Sequence, residues 1–183
     1  MSPKRIAYQG TAGAFGEEAA LMLWPRAEPV GKPSFEDVVQ AVQSGEVDAG
    51  VLPVSNRIIG PVERAVAALE RAERIELAGT VDVPVRLHLL GVPGARLAQV
   101  ERIAGHPIAL AQCRGLLGVF AATVEEWYDS AAAARAVREA GDSRFAAIAG
   151  EAAASRYGLA ILRADVHDRP DNSTRFVGLR RRP

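Results

Sequence analysis

The sequence predicts an α/β fold, and three observations predict it. Short apolar runs alternate with stretches of helical period. Turn residues such as Gln9-Gly10-Thr11 separate the two kinds of segment. The chain is 49% apolar and 24% charged, which is enough apolar surface to offset the entropy of ordering a chain and so excludes disorder. Its 183 residues suffice for one domain with a real core, or for two small lobes around a cleft.

Taken in order, Arg5 to Tyr8 reads as a short buried strand. From Ala14 to Leu23 the period becomes helical, with Phe15, Ala19, Met22 and Leu23 along one face, and Trp24-Pro25 ends it. Ser34 is placed as a helix N-cap with Asp37 three residues on, a variant of the capping box. That helix carries Val38, Val39, Ala41 and Val42 and stops at Gly45. Asp48 to Pro53 is a short apolar strand with a proline at its carboxyl end. Strands alternating with helices of this length predict parallel α/β units. Val62 to Arg74 is amphipathic, its apolar stripe being Val62, Ala65, Val66 and Leu69, with Glu70 and Arg74 spaced to pair on the solvated side.

Ile75 to Val92 is strand-rich, interrupted by Pro84, and suits a passage from one lobe to another. A second series follows: a strand at Val100 to Ala104, a helix from about Ala109, and an alanine-rich helix from Ser130 to Ala140. A strand at Phe145 to Ala149, a helix at Gly150 to Tyr157 and a strand at Leu159 to Leu162 come next. Ser173 to Leu179 alternates polar and apolar residues as a last strand. Arg180, Arg181 and Arg182 read as a solvated tail.

Acidic and basic residues balance at 22 each, so no global field steers the protein to nucleic acid or to an anionic membrane. The single cysteine, Cys113, excludes an intrachain disulfide, and the three scattered histidines have no zinc-site spacing. The start, Met1-Ser2-Pro3-Lys4-Arg5, lacks the apolar stretch of a signal peptide, and no run approaches the roughly 20 residues that span a bilayer. A soluble, reducing, cytoplasmic setting is the expectation.

Ligands of open α/β sheets sit at the carboxyl ends of strands, so the strand-turn-helix junctions hold the candidate site. The first junction, Tyr8 to Gly16, places two glycines where backbone N–H groups can face an anion, although its spacing is not that of a dinucleotide fingerprint. Alone it reads as an ordinary βα turn. The loop Pro53 to Gly60 gathers Ser55, Asn56 and Arg57, a hydroxyl, an amide and a guanidinium suited to a carboxylate, or to a plain polar turn. His106-Pro107 starts a helix, and Cys113 beyond it reads as a small buried residue. Asn172-Ser173-Thr174-Arg175-Phe176 opens the last strand, where a threonine is ordinarily just a good β-former.

Together and in order, these segments resemble the prephenate dehydratase family, with the plant arogenate dehydratases as near relatives. The resemblance rests on Y-Q-G-x-x-G-A-F at the start, Val51 to Asn56 against V-x-P-x-E-N-S, and H-P-I-A-L-A-Q-C against H-P-Q-A-L-A-Q-C. Tyr128-Asp129-Ser130-Ala131, Ala146 to Ala149, Tyr157-Gly158-Leu159 and the signature Thr174-Arg175-Phe176 complete it.

The resemblance implies two α/β lobes with a cleft between them, similar to the type II periplasmic-binding architecture. Lobe 1 is expected at residues 1–80 and 166–183, lobe 2 at 81–165, with the last strand returning to the first lobe. It implies decarboxylative dehydration of prephenate to phenylpyruvate, with no metal or organic cofactor, and a homodimer. Thr174 occupies the family's catalytic position. Thr11, Ser55, Asn56, Arg57, Ser130, Arg175 and Phe176 are the expected substrate-binding residues. Arogenate is the alternative substrate. A prephenate decarboxylase is disfavoured by Thr174, and a non-catalytic binding module is the reading from another class.

The chain departs from the family where E-N-S becomes Ser55-Asn56-Arg57, where Gly16 replaces a serine, and where Leu87, followed by His88, replaces a histidine. Only seven residues follow Phe176, so no regulatory ACT domain is expected.

Overall fold

A computed structural model of the chain describes residues 4–182. It separates into two compact units: Met1–Gly10, Phe15–Pro84 and Asp171–Pro183 form the first, and Thr11–Ala14 with Val85–Pro170 form the second.

In the first unit, strand β1 (Arg5–Gln9) leads to helix α1 (Phe15–Leu23), then β2 (Glu28–Lys32), α2 (Phe35–Ser44), β3 (Ala49–Asn56), β4 (Gly60–Pro61), α3 (Glu63–Glu70) and β5 (Ile75–Pro84). In the second lie β6 (His88–Gly91), a 3-10 turn at Leu97–Gln99, β7 (Arg102–Gly105), α4 (Pro107–Ala111), α5 (Arg114–Leu117) and β8 (Thr123–Glu126). It continues through α6 (Ser130–Ala140), β9 (Phe145–Ala149), α7 (Glu151–Tyr157) and β10 (Ala160–Arg163), after which β11 (Ser173–Arg181) belongs to the first unit.

The first sheet has the order β2-β1-β3-β11-β5, with β4 paired to β3. The second is β10-β6-β9-β7-β8. The parallel expectation holds for β2-β1-β3 and for β9-β7-β8. It fails elsewhere, because β11 runs antiparallel to both β3 and β5, and β6 antiparallel to β9 and β10. A strand's direction follows from its spatial neighbours, which alternation along the sequence does not encode.

Local chemistry explains the clearest element. Ser34 accepts a hydrogen bond from the Asp37 N–H at 3.1 Å, and Gly45 closes α2 with φ 78°, a left-handed conformation that costs glycine little. The face of α2 bearing Val38, Val39, Ala41 and Val42 packs with Ala7, Leu52, Val177 and Leu179 into the first core. Gly50 is needed beneath it: a Cβ there would lie 2.9 Å from both Val38 Cγ1 and Val42 Cγ2. The second core is alanine-rich. Ala131, Ala133, Ala134 and Val137 of α6 meet Ala147, Ala149 and Phe145 of β9, and small side chains let helix and sheet approach closely.

Three further expectations are corrected. The helix expected to reach Arg74 ends at Glu70, and Arg74 takes φ 53°, so Glu70 and Arg74 are not one helical turn apart. The chain there must turn to bury Ile75 in the first core. The strand expected to stop at Pro53 continues to Asn56. Its pairing with β11 steps from Ser55↔Arg175 to Pro53↔Phe176, bulging out Val54, and β1 pairs only as far as Gly50. A proline that need not donate to a ladder is tolerated. Finally, Arg180 and Arg181 extend β11 rather than forming a free tail, opposite Glu76 and Ile75, and Arg180 lies 5.7 Å over the Trp24 ring.

Candidate functional site

The first unit brings Asn56 and Thr174 together, 118 positions apart in sequence, as directly opposed residues of β3 and β11. The Asn56 Nδ2 donates to Thr174 Oγ1 at 2.9 Å. Its Oδ1 meanwhile accepts from the N–H groups of Ile58 at 2.9 Å and Ile59 at 3.2 Å, closing the β3–β4 turn in which Gly60 has φ 84°. The two backbone donors fix which end of the amide is oxygen, so Nδ2 must face the threonine. A hydroxyl has one proton and two lone pairs. With a lone pair engaged by Asn56, the Thr174 proton is left to donate elsewhere. Asn56 is buried and Thr174 half-buried.

Strand alternation puts Phe176 on the same face as Thr174, and Phe176 is buried. Ser55 and Arg175 oppose each other on the other face, so Ser55 is not brought to the Thr174 hydroxyl. Arg175 is bidentate on Asp82, its opposite residue on β5, at 2.8 and 2.9 Å. That guanidinium holds the Asp82 carboxyl below the usual carboxylate range, and its service is to fasten β11 to β5. Arg57 is exposed; its N–H donates to the Ser173 carbonyl at 2.9 Å and its side chain stands 3.6 Å from Asp171. The cation at this position thus lies beside the strand that carries Thr174.

In the second unit, the Thr11 N–H donates at 2.6 Å to Asp129 Oδ2. The anion that the first junction was expected to face is therefore, at this amide, a carboxylate of the protein itself. Asp129 also N-caps α6, its Oδ1 accepting from Ala131 N–H at 2.8 Å. Ser130, the first residue of that helix, accepts from the His106 N–H at 3.4 Å. His106 caps α4 through Nδ1, 3.2 Å from the Ile108 N–H, and burial lowers its pKa. Cys113 is buried, and desolvation with the nearby Asp168 pushes its thiol up to about 12, which disqualifies it as a nucleophile at neutral pH.

Sequence reasoning named Asp129, Tyr157 and His88 only as matches to the family or a departure from it, without a role, and missed Asp82 and His167. An aspartate directly before an alanine-rich helix is a readable cap signal; its second contact, to Thr11, is not. At the departure from the family pattern, His88 is 5% exposed, its Nδ1 accepts from the Asp165 N–H at 3.0 Å, and its Nε2 is buried without a partner. Leu87 is fully buried and its N–H donates to His167 Nδ1 at 3.2 Å.

The family model for prephenate dehydratase matches residues 6–183. Arogenate dehydratase 5, chloroplastic, of Arabidopsis thaliana is 39% identical over all of this chain and 43% of its own length. Arogenate dehydratase/prephenate dehydratase 2, chloroplastic, of the same plant is 37% identical over 98% of this chain and 47% of its own. The chain thus spans less than half the length of these curated relatives. Among solved structures, the prephenate dehydratase of Arthrobacter aurescens in complex with L-Phe superposes with TM-score 0.89 and 28% identity, over 98% of this chain and 61% of that one. A protein described as GqqA, a novel type of quorum quenching acylases, gives TM-score 0.88 and 35% identity over 98% and 65%. A methionine-binding protein, 12% identical, shares the fold with TM-score 0.54 over 97% of this chain and 82% of its own.

Proposed function

The chain belongs to the prephenate dehydratase family, and from that premise we propose that it converts prephenate to phenylpyruvate, carbon dioxide and water, with Thr174 as its catalytic residue. The observation that carries this reading is the oriented pair Asn56–Thr174, which leaves a hydroxyl proton free to be donated. The ring carboxylate leaves as carbon dioxide, its electron pair completes the aromatic ring, and the ring hydroxyl departs from the opposite carbon. Thr174 donates a hydrogen bond to that departing oxygen, and one proton, supplied in the end by solvent, makes it water. Aromatisation drives the reaction, so help to the leaving oxygen is the main service required. A positioned donor of this kind contributes roughly 10²–10⁴-fold.

Thr11, Ser55, Asn56, Arg57, Ser130, Arg175 and Phe176 make up the proposed binding set, in unequal roles. Asn56 orients the donor, Phe176 packs on the donor's face of the sheet, and Arg175 braces the strand. Thr11, Ser130 and Arg57 are the candidates for the substrate's carboxylates. The chain is proposed to act as a homodimer in the cytoplasm. No helix among the described residues is long and apolar enough to cross a membrane, while the Arabidopsis relatives are named chloroplastic.

Arogenate, which carries an amino group in place of the keto group, is the second reading, favoured by the relatives' own names. Incubating the purified chain with each compound at neutral pH and weighing the products decides between them. Phenylpyruvate from prephenate supports the first reading, and phenylalanine from arogenate alone supports the second. Both compounds unchanged beyond their spontaneous decay refutes both.

A further inference from the structure

The turn Thr11–Gly13 is held in the second unit at three consecutive residues, by two side chains and by the close approach of the α7 backbone. Asp129 takes the Thr11 N–H at 2.6 Å. The Tyr157 hydroxyl donates to the Ala12 carbonyl at 2.6 Å. Gly13, at φ 91°, lies so close to α7 that a Cβ on it would stand 2.9 Å from Ala153 Cα. Capping α6 occupies only one Asp129 oxygen, and serine or asparagine would cap as well. The second oxygen makes a short, charge-assisted bond to a residue 118 positions away, from a side chain only 9% exposed.

We infer that Asp129 is a positioning residue for ligand binding. It fixes the shape of the Thr11–Gly13 turn, sets Ser130 by the same carboxylate, and withdraws the Thr11 N–H, so that the group Thr11 offers a ligand is its hydroxyl. This rests on the dehydratase reading for its substrate, but the geometry is independent of it. A turn that contacts a non-reacting part of the substrate contributes equally to ground and transition states. Loosening it therefore raises KM and leaves kcat nearly alone.

The test is Asp129→Ser in the full chain, with Tyr157→Phe as a second variant. Serine retains the helix cap and is too short to reach Thr11. The expected result is a KM for prephenate raised at least about tenfold, with kcat within about threefold and cooperative unfolding retained at a Tm lowered by the lost hydrogen bond. In the amide NMR spectrum the Thr11 proton should move upfield as it loses its carboxylate partner. The loss from Tyr157→Phe should likewise fall on KM. A KM within about twofold of the parent in both variants overturns the inference. A parent that leaves prephenate unchanged sinks the dehydratase reading instead, and the Thr11 resonance then decides alone: if it does not move in Asp129→Ser, the latch is refuted.

Discussion

The two units solve different positioning problems with different chemistry. In the first, two neutral side chains on neighbouring strands meet, and the strand pairing itself aims a hydroxyl. In the second, a carboxylate and a phenol reach across to the backbone of a turn. A single proton must be pointed to within a hydrogen-bond angle, which suits side chains on rigid strands. A turn has no side-chain ladder to hold it and needs donors and acceptors for its peptide groups. The difference also shows in what each unit buries: Asn56 carries no titratable group, whereas the second unit buries the imidazole of His88.

The contrast can be broken most sharply at Asn56. Asn56→Asp keeps the shape and supplies only acceptors, so the Thr174 proton would be drawn to the new carboxylate. Turnover should then fall about 10- to 100-fold with the fold intact. Turnover close to the parent's would show that the amide does not orient the hydroxyl.

Packing beneath the strand is the next test. Gly50→Ala would press a methyl group against Val38 and Val42, and should cost about 1–3 kcal/mol in urea unfolding. A cost near zero would mean that α2 can shift, and that the strand carrying Asn56 is less rigid than the contrast requires.

The pH dependence should belong to the second unit. Burial lowers the pKa of His88; Asp165 and Glu151 oppose that shift, while His167 and Arg86 add to it. The unfolded chain therefore takes up a proton that the folded chain refuses. Stability is complete above the unfolded pKa of about 6.5 and declines as pH falls from there toward the lower folded value. Protonation would also cost Nδ1 its bond from Asp165. His88→Asn keeps an acceptor without the titration, so thermal unfolding should lose less between pH 7 and pH 5 than in the parent. Identical slopes would place the sensitivity elsewhere, His106 being the next candidate. The smallest effect is expected at Asp82→Asn, an exposed brace, where turnover should stay within about twofold.

Much of this was legible in the sequence. Ser34, Asp37 and Gly45 announce both ends of α2, and Ser130–Ala140 and Phe145–Ala149 occur where their patterns predict them. The strand Glu28–Lys32 was not legible, because Pro29 and Gly31 conceal it and only pairing with β1 makes it a strand. Thr123–Glu126 depends in the same way on β7. Thr174 and Asn56 stood out through the resemblance, yet nothing local says that one donates to the other. Contacts such as Arg175 to Asp82, or Asp129 to Thr11, join residues about a hundred positions apart and exist only after the sheets have assembled.

The central claim is that the Thr174 hydroxyl assists the departing oxygen, and Thr174→Val tests it most directly. Valine matches the shape, suits the strand and removes the hydroxyl alone. Prephenate turnover should fall at least about 100-fold while Tm stays that of the parent. Turnover near the parent's in a folded Thr174→Val chain would contradict the account.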